Sequence, residues 1–236
     1  MDFYTIISVV EKMEPEKKKD ILEKGAIIQR DGETYAIAPH TPAGLLTPEI
    51  LRTIADTAEK YNVAAIKISS SQRIVLVGLK EEDLDDVWSD LGMKPGSAIG
   101  ICVRSVRVCP GTTFCKRGKQ DSMSLGLKLD EKYHSMQLPA KMKIGVSGCL
   151  FSCSESAVRD IGFIGDTKGF KCYVGGNASS NPKVGELIAE ELTQDAALEL
   201  TEKIIQFLKA KNSKKRLGKV IEEIGMEQFK KEIGLI

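Results

Sequence analysis

The chain of 236 residues has two histidines, one tryptophan, and no cysteine before Cys102 or after Cys172. His40 and His134 stand in no ligand-like or triad-like spacing, which leaves little for a histidine metal centre or a nucleophile–histidine pair. His134, in DEKYHSM, reads as exposed at a polar helix end. No apolar run approaches the roughly 20 residues that span a bilayer, so no membrane segment is expected. The start, MDFYTIISVV, carries Asp2 ahead of its apolar stretch. It lacks a basic n-region and a small-residue cleavage site, and does not read as a signal peptide. The sequence has no P-loop and no complete G-x-G-x-x-G fingerprint, so no nucleotide site is expected. An excess of one charge is missing too. With 34 basic and 33 acidic side chains the formal charge is +1, which argues against a generally basic nucleic-acid binder. Without a signal peptide or a membrane span, a cytoplasmic location is expected, where thiols stay reduced.

What is present is a folding composition. At 42% hydrophobic and 28% charged, the chain can bury one or two cores. Residues 1–95 read as an α+β, ferredoxin-like module. Pro15 to Lys24 is a charged helix candidate, and Ala26–Ile28 and Tyr35–Ala38 are short apolar runs. Thr47-Pro48-Glu49 is a helix start by its hydroxyl, its proline and its acid. Val63–Ile68 and Ile74–Val77 read as two buried strands joined across SSSQR. Leu84, Val87, Trp88 and Leu91 mark a helix that ends at Gly92. Lys94-Pro95-Gly96-Ser97 is the expected boundary. Residues 96–236 follow with strands at Lys143–Val146, Ile161–Ile164 and Phe170–Val174. Then comes a helical tail, with stripes at Leu200, Ile204, Phe207, Leu208 and at Leu217, Val220, Ile221, Ile224, read as packing faces. No internal repeat or low-complexity segment appears.

The six cysteines are clustered, unlike the framework of a small disulfide-rich secreted domain. Cys109 and Cys115 stand in CPGTTFC, Cys149 and Cys153 in SGCLFSC. Four thiols on sharply turning segments are what an iron–sulfur cluster requires. Structural zinc prefers closer pairs, so the spacing favours a cluster, with zinc and unligated cysteines as the alternatives. Cys102 and Cys172 fall outside the pattern and read as core residues.

The C-x₅-C and C-x₃-C pairs in RSVRVCPGTTFC and LPAKMKIGVSGC, with GFKCYVGGN, resemble the siroheme and [4Fe–4S] nitrite and sulfite reductase family. TPAGLLTPEILRTIADTAEKY and IKISSSQRIVLVGL extend the resemblance into the first module, over nearly the whole chain. Larger members contain two such halves; this chain resembles the small, single-half, assimilatory-type sulfite reductases. The resemblance implies a haemoprotein domain at 96–236, with the cluster held by Cys109, Cys115, Cys149 and Cys153. Cys153 would also be the axial thiolate shared with siroheme. It implies substrate cations at Arg104, Lys141, Lys143 and Arg73. Two-half sulfite reductases place arginine where Ser71 stands; SSQRI resembles the nitrite-reductase branch and the small members. Gln72, Gly175, Gly176 and Asn177 match cofactor-approaching positions. Leu150-Phe151 departs from the proline and polar residue of many relatives, which implies a drier cluster–haem junction. The implied reaction is the six-electron reduction of sulfite to sulfide, or of nitrite to ammonia. Electrons would come from an external donor such as a ferredoxin or another reductase. A non-catalytic iron–sulfur or tetrapyrrole electron-transfer protein is the alternative, and a single half can pair with itself as a homodimer. Residues 102–143 hold nine Lys and Arg against three Asp and Glu. That patch suits a many-carboxylate cofactor and a small anion better than a polymer.

Overall fold

The computed structural model describes residues 18–236. The first sheet is built from β1 (Ile27–Ile28), β2 (Tyr35–Ile37), β3 (Ala65–Ile68) and β4 (Ile74–Leu79), in the order β1-β2-β4-β3 and antiparallel throughout. Two helices, α1 (Pro48–Lys60) and α2 (Leu84–Leu91), complete its core. The start of α1 follows its sequence chemistry: the Thr47 hydroxyl accepts the Ile50 N–H at 3.3 Å, and Pro48 fills the first turn. Gly92 closes α2 at φ +59, a conformation that costs a Cβ-bearing residue more. Tyr35, Ile37, Ile54, Leu76, Leu79 and Val87 form the centre, each buried apolar side chain contributing about 1.5–3 kcal/mol.

Two expectations for this region are corrected. β3 is not buried: all four of its residues are exposed, with Ile68 at 74%. Among the described residues it lies at the sheet edge, with β4 on one flank and no strand on the other. The helix expected over Pro15–Lys24 falls partly outside the described residues. Lys18–Lys24 runs extended into a turn, with Ile21 bridged to Ala26.

The second sheet has β5 (Arg107–Val108), β6 (Ile144–Ser147), β7 (Ile161–Asp166), β8 (Gly169–Val174) and β9 (Glu186–Leu192), in that order. The first three strands are parallel and the last two antiparallel. Short α3 (Gly111–Phe114) and longer α4 (Ser122–Tyr133) follow β5. The tail is α5 (Gln194–Lys211), α6 (Leu217–Ile224) and α7 (Met226–Glu232). Both apolar stripes of the tail join one core with Leu125, Leu129, Phe163, Phe170 and Cys172. Among the described residues no helix is long and apolar enough to cross a membrane.

The two sheets meet through specific contacts. Gln72, at φ +58, donates its amide to the Val108 carbonyl (2.8 Å) and accepts the Val108 N–H (2.9 Å). The two histidines stack across the same seam, ring centroids 3.6 Å apart and 11° from parallel. His40 Nε2 lies 2.8 Å from the buried Asp130 carboxylate, which also accepts the Val106 N–H. His134 is therefore half-buried against a ring rather than exposed as its polar context suggested.

Burial, and then the neighbouring His40, lower the His134 pKa to about 4, against the opposing pull of Asp130. The folded state holds this imidazole neutral, so the unfolded chain binds the extra proton first. Stability is full above the unfolded value of about 6.5 and declines as pH falls towards 4. His134→Phe, which keeps a stacking ring, should flatten the fall of Tm between pH 6.5 and 4. An unchanged slope would show that this ring does not set it.

Candidate anion cavity and cysteine loops

The cysteine loops interlock through glycine. A Cβ on Gly148 would lie 2.6 Å from Gly111 Cα, and Gly111 itself sits at φ +52. Lys119 and Gln120 both donate backbone N–H groups to the Gly148 carbonyl, at 2.8 and 3.0 Å. Gly148 in turn donates its N–H to Cys109 Sγ at 3.0 Å. Each loop is thus held by the other, and one sulfur already accepts the kind of hydrogen bond that tunes a thiolate centre. Cys109 is buried, Cys115 and Cys149 are half-buried, and Cys153 is exposed; none is in a disulfide. Among the described residues no three His, Cys, Asp or Glu converge on a single-ion site. Four thiols on two interlocked loops, one of them already accepting a backbone N–H, are the donor chemistry an iron–sulfur cluster takes. Cys102 and Cys172 are both buried, and burial pushes the Cys172 thiol pKa up.

A cavity of about 150 Å³ is lined by Ser71, Arg73, Arg104, Ser105, Arg107, Lys141, Lys143 and Arg159, with Ala98 and Ile144. Its geometry follows from backbone alternation. Met142 is buried between Lys141 and Lys143, so both lysines turn to the cavity. Arg104 is held by the Ser97 and Gly100 carbonyls at 2.9 and 2.8 Å. Arg73, 8% exposed, donates to Ser105 Oγ at 3.0 Å. The ion pairs to these cavity cations, among the described residues, come from one carboxylate. Glu155 reaches Arg107 at 2.8 Å and Arg159 at 2.6 Å. Burial, and then Arg104, bring Arg73 down to about 10. Arg104 and Lys143 are likewise lowered, chiefly by burial, and Lys143 next by Lys141. Such a cavity favours a small anion.

Of the sequence-assigned residues, Arg73, Arg104, Lys141 and Lys143 come together here. Gln72 does not: its amide is engaged on Val108. Gly175, Gly176 and Asn177 line a separate cavity of about 100 Å³ with Asp160, Lys183 and Arg216. A Cβ on Gly176 would lie 2.6 Å from the Ala157 and Arg159 carbonyls, so this glycine is required by backbone packing. Asn177 accepts from Arg216 and donates to Ser179 and Asn181. Arg216 also forks onto buried Asp160 (3.0 and 2.7 Å), which accepts the Lys143 N–H at 2.8 Å. The glycine–asparagine loop therefore braces the lysine strand from behind. Sequence reasoning passed over Arg107 and Arg159. Arg107 stands two residues before Cys109, inside the basic stretch, where its position was a usable signal; Arg159 carried none.

A cation-lined, anion-sized cavity and four cysteines on interlocked loops in one chain fit the class of iron–sulfur proteins that handle a small anion. The comparisons give the family. Residues 99–235 match the nitrite and sulphite reductase 4Fe-4S domain, and residues 27–94 the nitrite/sulfite reductase ferredoxin-like half domain. The chain belongs to the nitrite and sulfite reductase family. It is 44% identical over 211 residues to a "sulfite reductase, assimilatory-type" of Nitratidesulfovibrio vulgaris, covering 89% of this chain and 97% of that one. A nitrite reductase [NAD(P)H] of Bacillus subtilis is 38% identical over 85% of this chain, which spans 25% of that protein. Among solved structures, dissimilatory sulfite reductase I shares the fold with a TM-score of 0.73 at 17% identity, over 85% of this chain and 69% of that one. The Mycobacterium tuberculosis NirA protein does so with 0.75 at 20%, over 86% and 40%.

Burial raises the Asp160 pKa while Arg216 opposes the shift. Asp160→Asn would strip the carboxylate from a partly buried guanidinium and should cost about 3 kcal/mol. A urea-unfolding midpoint within error of the parent would refute this.

Proposed function

We propose that this protein reduces sulfite to sulfide at a siroheme coupled to a [4Fe–4S] cluster. The observation that carries the reading is the convergence of Arg73, Arg104, Lys141 and Lys143 on one cavity that Arg107, two residues before Cys109, also lines. The residues fit the groups. Siroheme bears eight carboxylates, and the cavity offers six cations that share one paired acid. Cys109, Cys115, Cys149 and Cys153 would hold the cluster, with exposed Cys153 as the thiolate shared with the haem iron. When bound, the siroheme iron supplies the reducing centre and the cluster supplies it with electrons. The chain's own residues do the rest. The arginines neutralise and orient the oxyanion. Lys141 and Lys143, at the wetter side, give protons to the departing oxygens. Sulfite takes up six electrons and six protons to yield sulfide and three waters.

The near full-length match to a relative named for sulfite supports sulfite over nitrite, while SSQRI and the relatives named for nitrite keep nitrite as the second reading. We further propose a division near residue 95 into a substrate-side module and a cofactor domain. A cytoplasmic location, an external electron donor and self-association as a homodimer complete the reading.

Protein purified anaerobically should be coloured and should release a tetrapyrrole on acid extraction. It should oxidise a reduced viologen dye with sulfite faster than with nitrite. Colourless protein, or pigmented protein inert to both anions, would sink the proposal. Replacing Lys141 and Lys143 together by alanine should lower kcat/KM for sulfite by about 10²–10³, with cluster and haem content retained. Parental kinetics would remove the lysines from the mechanism.

A further inference from the structure

Two consecutive carbonyls on the segment between the two sheets serve the cavity arginines. The Gly96 carbonyl accepts the Ser105 hydroxyl at 2.9 Å, and that hydroxyl accepts Arg73 Nε at 3.0 Å. The Ser97 carbonyl accepts Arg104 Nη1 at 2.9 Å and lies 3.5 Å from Arg73 Nη2. One oxygen thus stands between two guanidinium groups whose like charges repel. Gly96 is fixed from the first sheet's side: its N–H donates to the Ala38 carbonyl at 2.8 Å, and a Cβ would lie 2.8 Å from that same oxygen. Ser97 has a different restraint. It sits at φ +49, in the left-handed region that a residue with a Cβ adopts at a cost. Its hydroxyl is hydrogen-bonded to that of Ser135, 38 positions away. Ser135 is anchored beside Arg104, because its N–H donates to the Val103 carbonyl at 3.1 Å and the Val103 N–H donates to the Met136 carbonyl at 2.9 Å. The Ser135 hydroxyl also lies 3.3 Å from His134 Nδ1. The two serines face a groove separate from the anion cavity, and neither lines that cavity.

We propose that Ser97 is a positioning residue for the anion, its backbone carbonyl aimed at Arg104 and Arg73 by the hydroxyl bond to Ser135. The inference rests on the reductase reading and adds to its site a residue that touches no substrate. The partial negative charge of the shared carbonyl lets two cations stand side by side, and its place sets their spacing. Donors remain for the anion, among them Arg104 Nε, which is buried without a protein partner. Without the bond to Ser135, Ser97 is free to relax out of the left-handed region and carry its carbonyl away from the arginines. The cations then keep their charge and lose their alignment. Planar guanidinium recognition depends on that alignment, so the loss falls on oxyanion binding more than on the reaction of the bound oxyanion.

The test compares the parent holoprotein with Ser97→Ala, Ser135→Ala and the double variant. Sulfite affinity is read by calorimetry, and KM and kcat separately from turnover driven by a reduced viologen dye. Each single substitution should weaken sulfite binding and raise KM by about fivefold, the worth of one hydrogen bond, with kcat within about twofold and cofactor content retained. The double variant should lose no more than either single one, because both substitutions remove the same bond. Ser135→Ala is the sharper arm, since Ser135 stands outside the cavity. Parental affinity in Ser135→Ala, additive losses in the double variant, or a loss confined to kcat would each overturn the proposal. A parent that binds sulfite through this serine pair yet reduces neither sulfite nor nitrite would remove the reductase reading and leave the positioning role standing.

Discussion

Gln72 couples the two halves of this molecule. Its backbone sits in the left-handed region, which lets the side-chain amide meet both polar groups of Val108 at once. A cross-seam pair of this kind fixes direction as well as distance, because a rotated amide would leave a donor facing a donor. Its neighbours in sequence inherit the geometry. Arg73 enters the cavity from the first sheet, and Ser71, two residues back, lines the same space. On the other side Val108 precedes Cys109, so the same two hydrogen bonds place that cysteine relative to the cavity arginine. The stacked histidines and Asp130 brace the seam a short way off. Cavity cations and cysteine loops are therefore positioned by one junction rather than by two independent scaffolds.

The cavity is electrostatically unbalanced by construction. Six cations line it, their hydrogen bonds go mainly to carbonyls and a serine hydroxyl, and Glu155 alone supplies ion pairs among the described residues. Such crowding opposes folding, and an anion that occupies the site offsets it, so ligand and fold stabilise each other. The buried Asp160–Arg216 pair sits outside the cavity and carries no such imbalance. It fixes the Lys143 backbone, so the lysine side chains remain free to face the anion.

The helix start at Thr47, the αL end at Gly92, the three central strands of the second sheet and both tail stripes are legible in the sequence because local chemistry and periodicity decide them. β3 is not, because its residues are as apolar as a core strand's, and edge position is a property of sheet order that no local pattern encodes. The burial of His134 is hidden for a related reason: it comes from His40, 94 positions away in the chain. The lysine pair is legible through alternation around Met142. Gln72 and Asn177 stand out in the sequence, yet their amides serve the scaffold. A polar residue at a turn looks the same in sequence whether it meets a ligand or a backbone.

The division of labour between arginine and lysine in the cavity has a physical basis. Arg73 is almost fully buried, and its pKa still stands at about 10, so it remains cationic at neutral pH. A lysine in the same surroundings would start from a lower pKa and hold its proton less firmly. Fixed charge at the dry end therefore demands guanidinium, whose planar donors also match two oxygens of an oxyanion at once. Lys143 is half-buried and Lys141 exposed, where protons can be replenished from water. Burial and the neighbouring Lys141 already lower the Lys143 pKa, which brings its ammonium closer to the working range of a proton donor. The proposed reduction would use both properties in one cavity, a charge that never leaves and a proton that does. The backbone arranges them in that order, arginines inward and lysines outward.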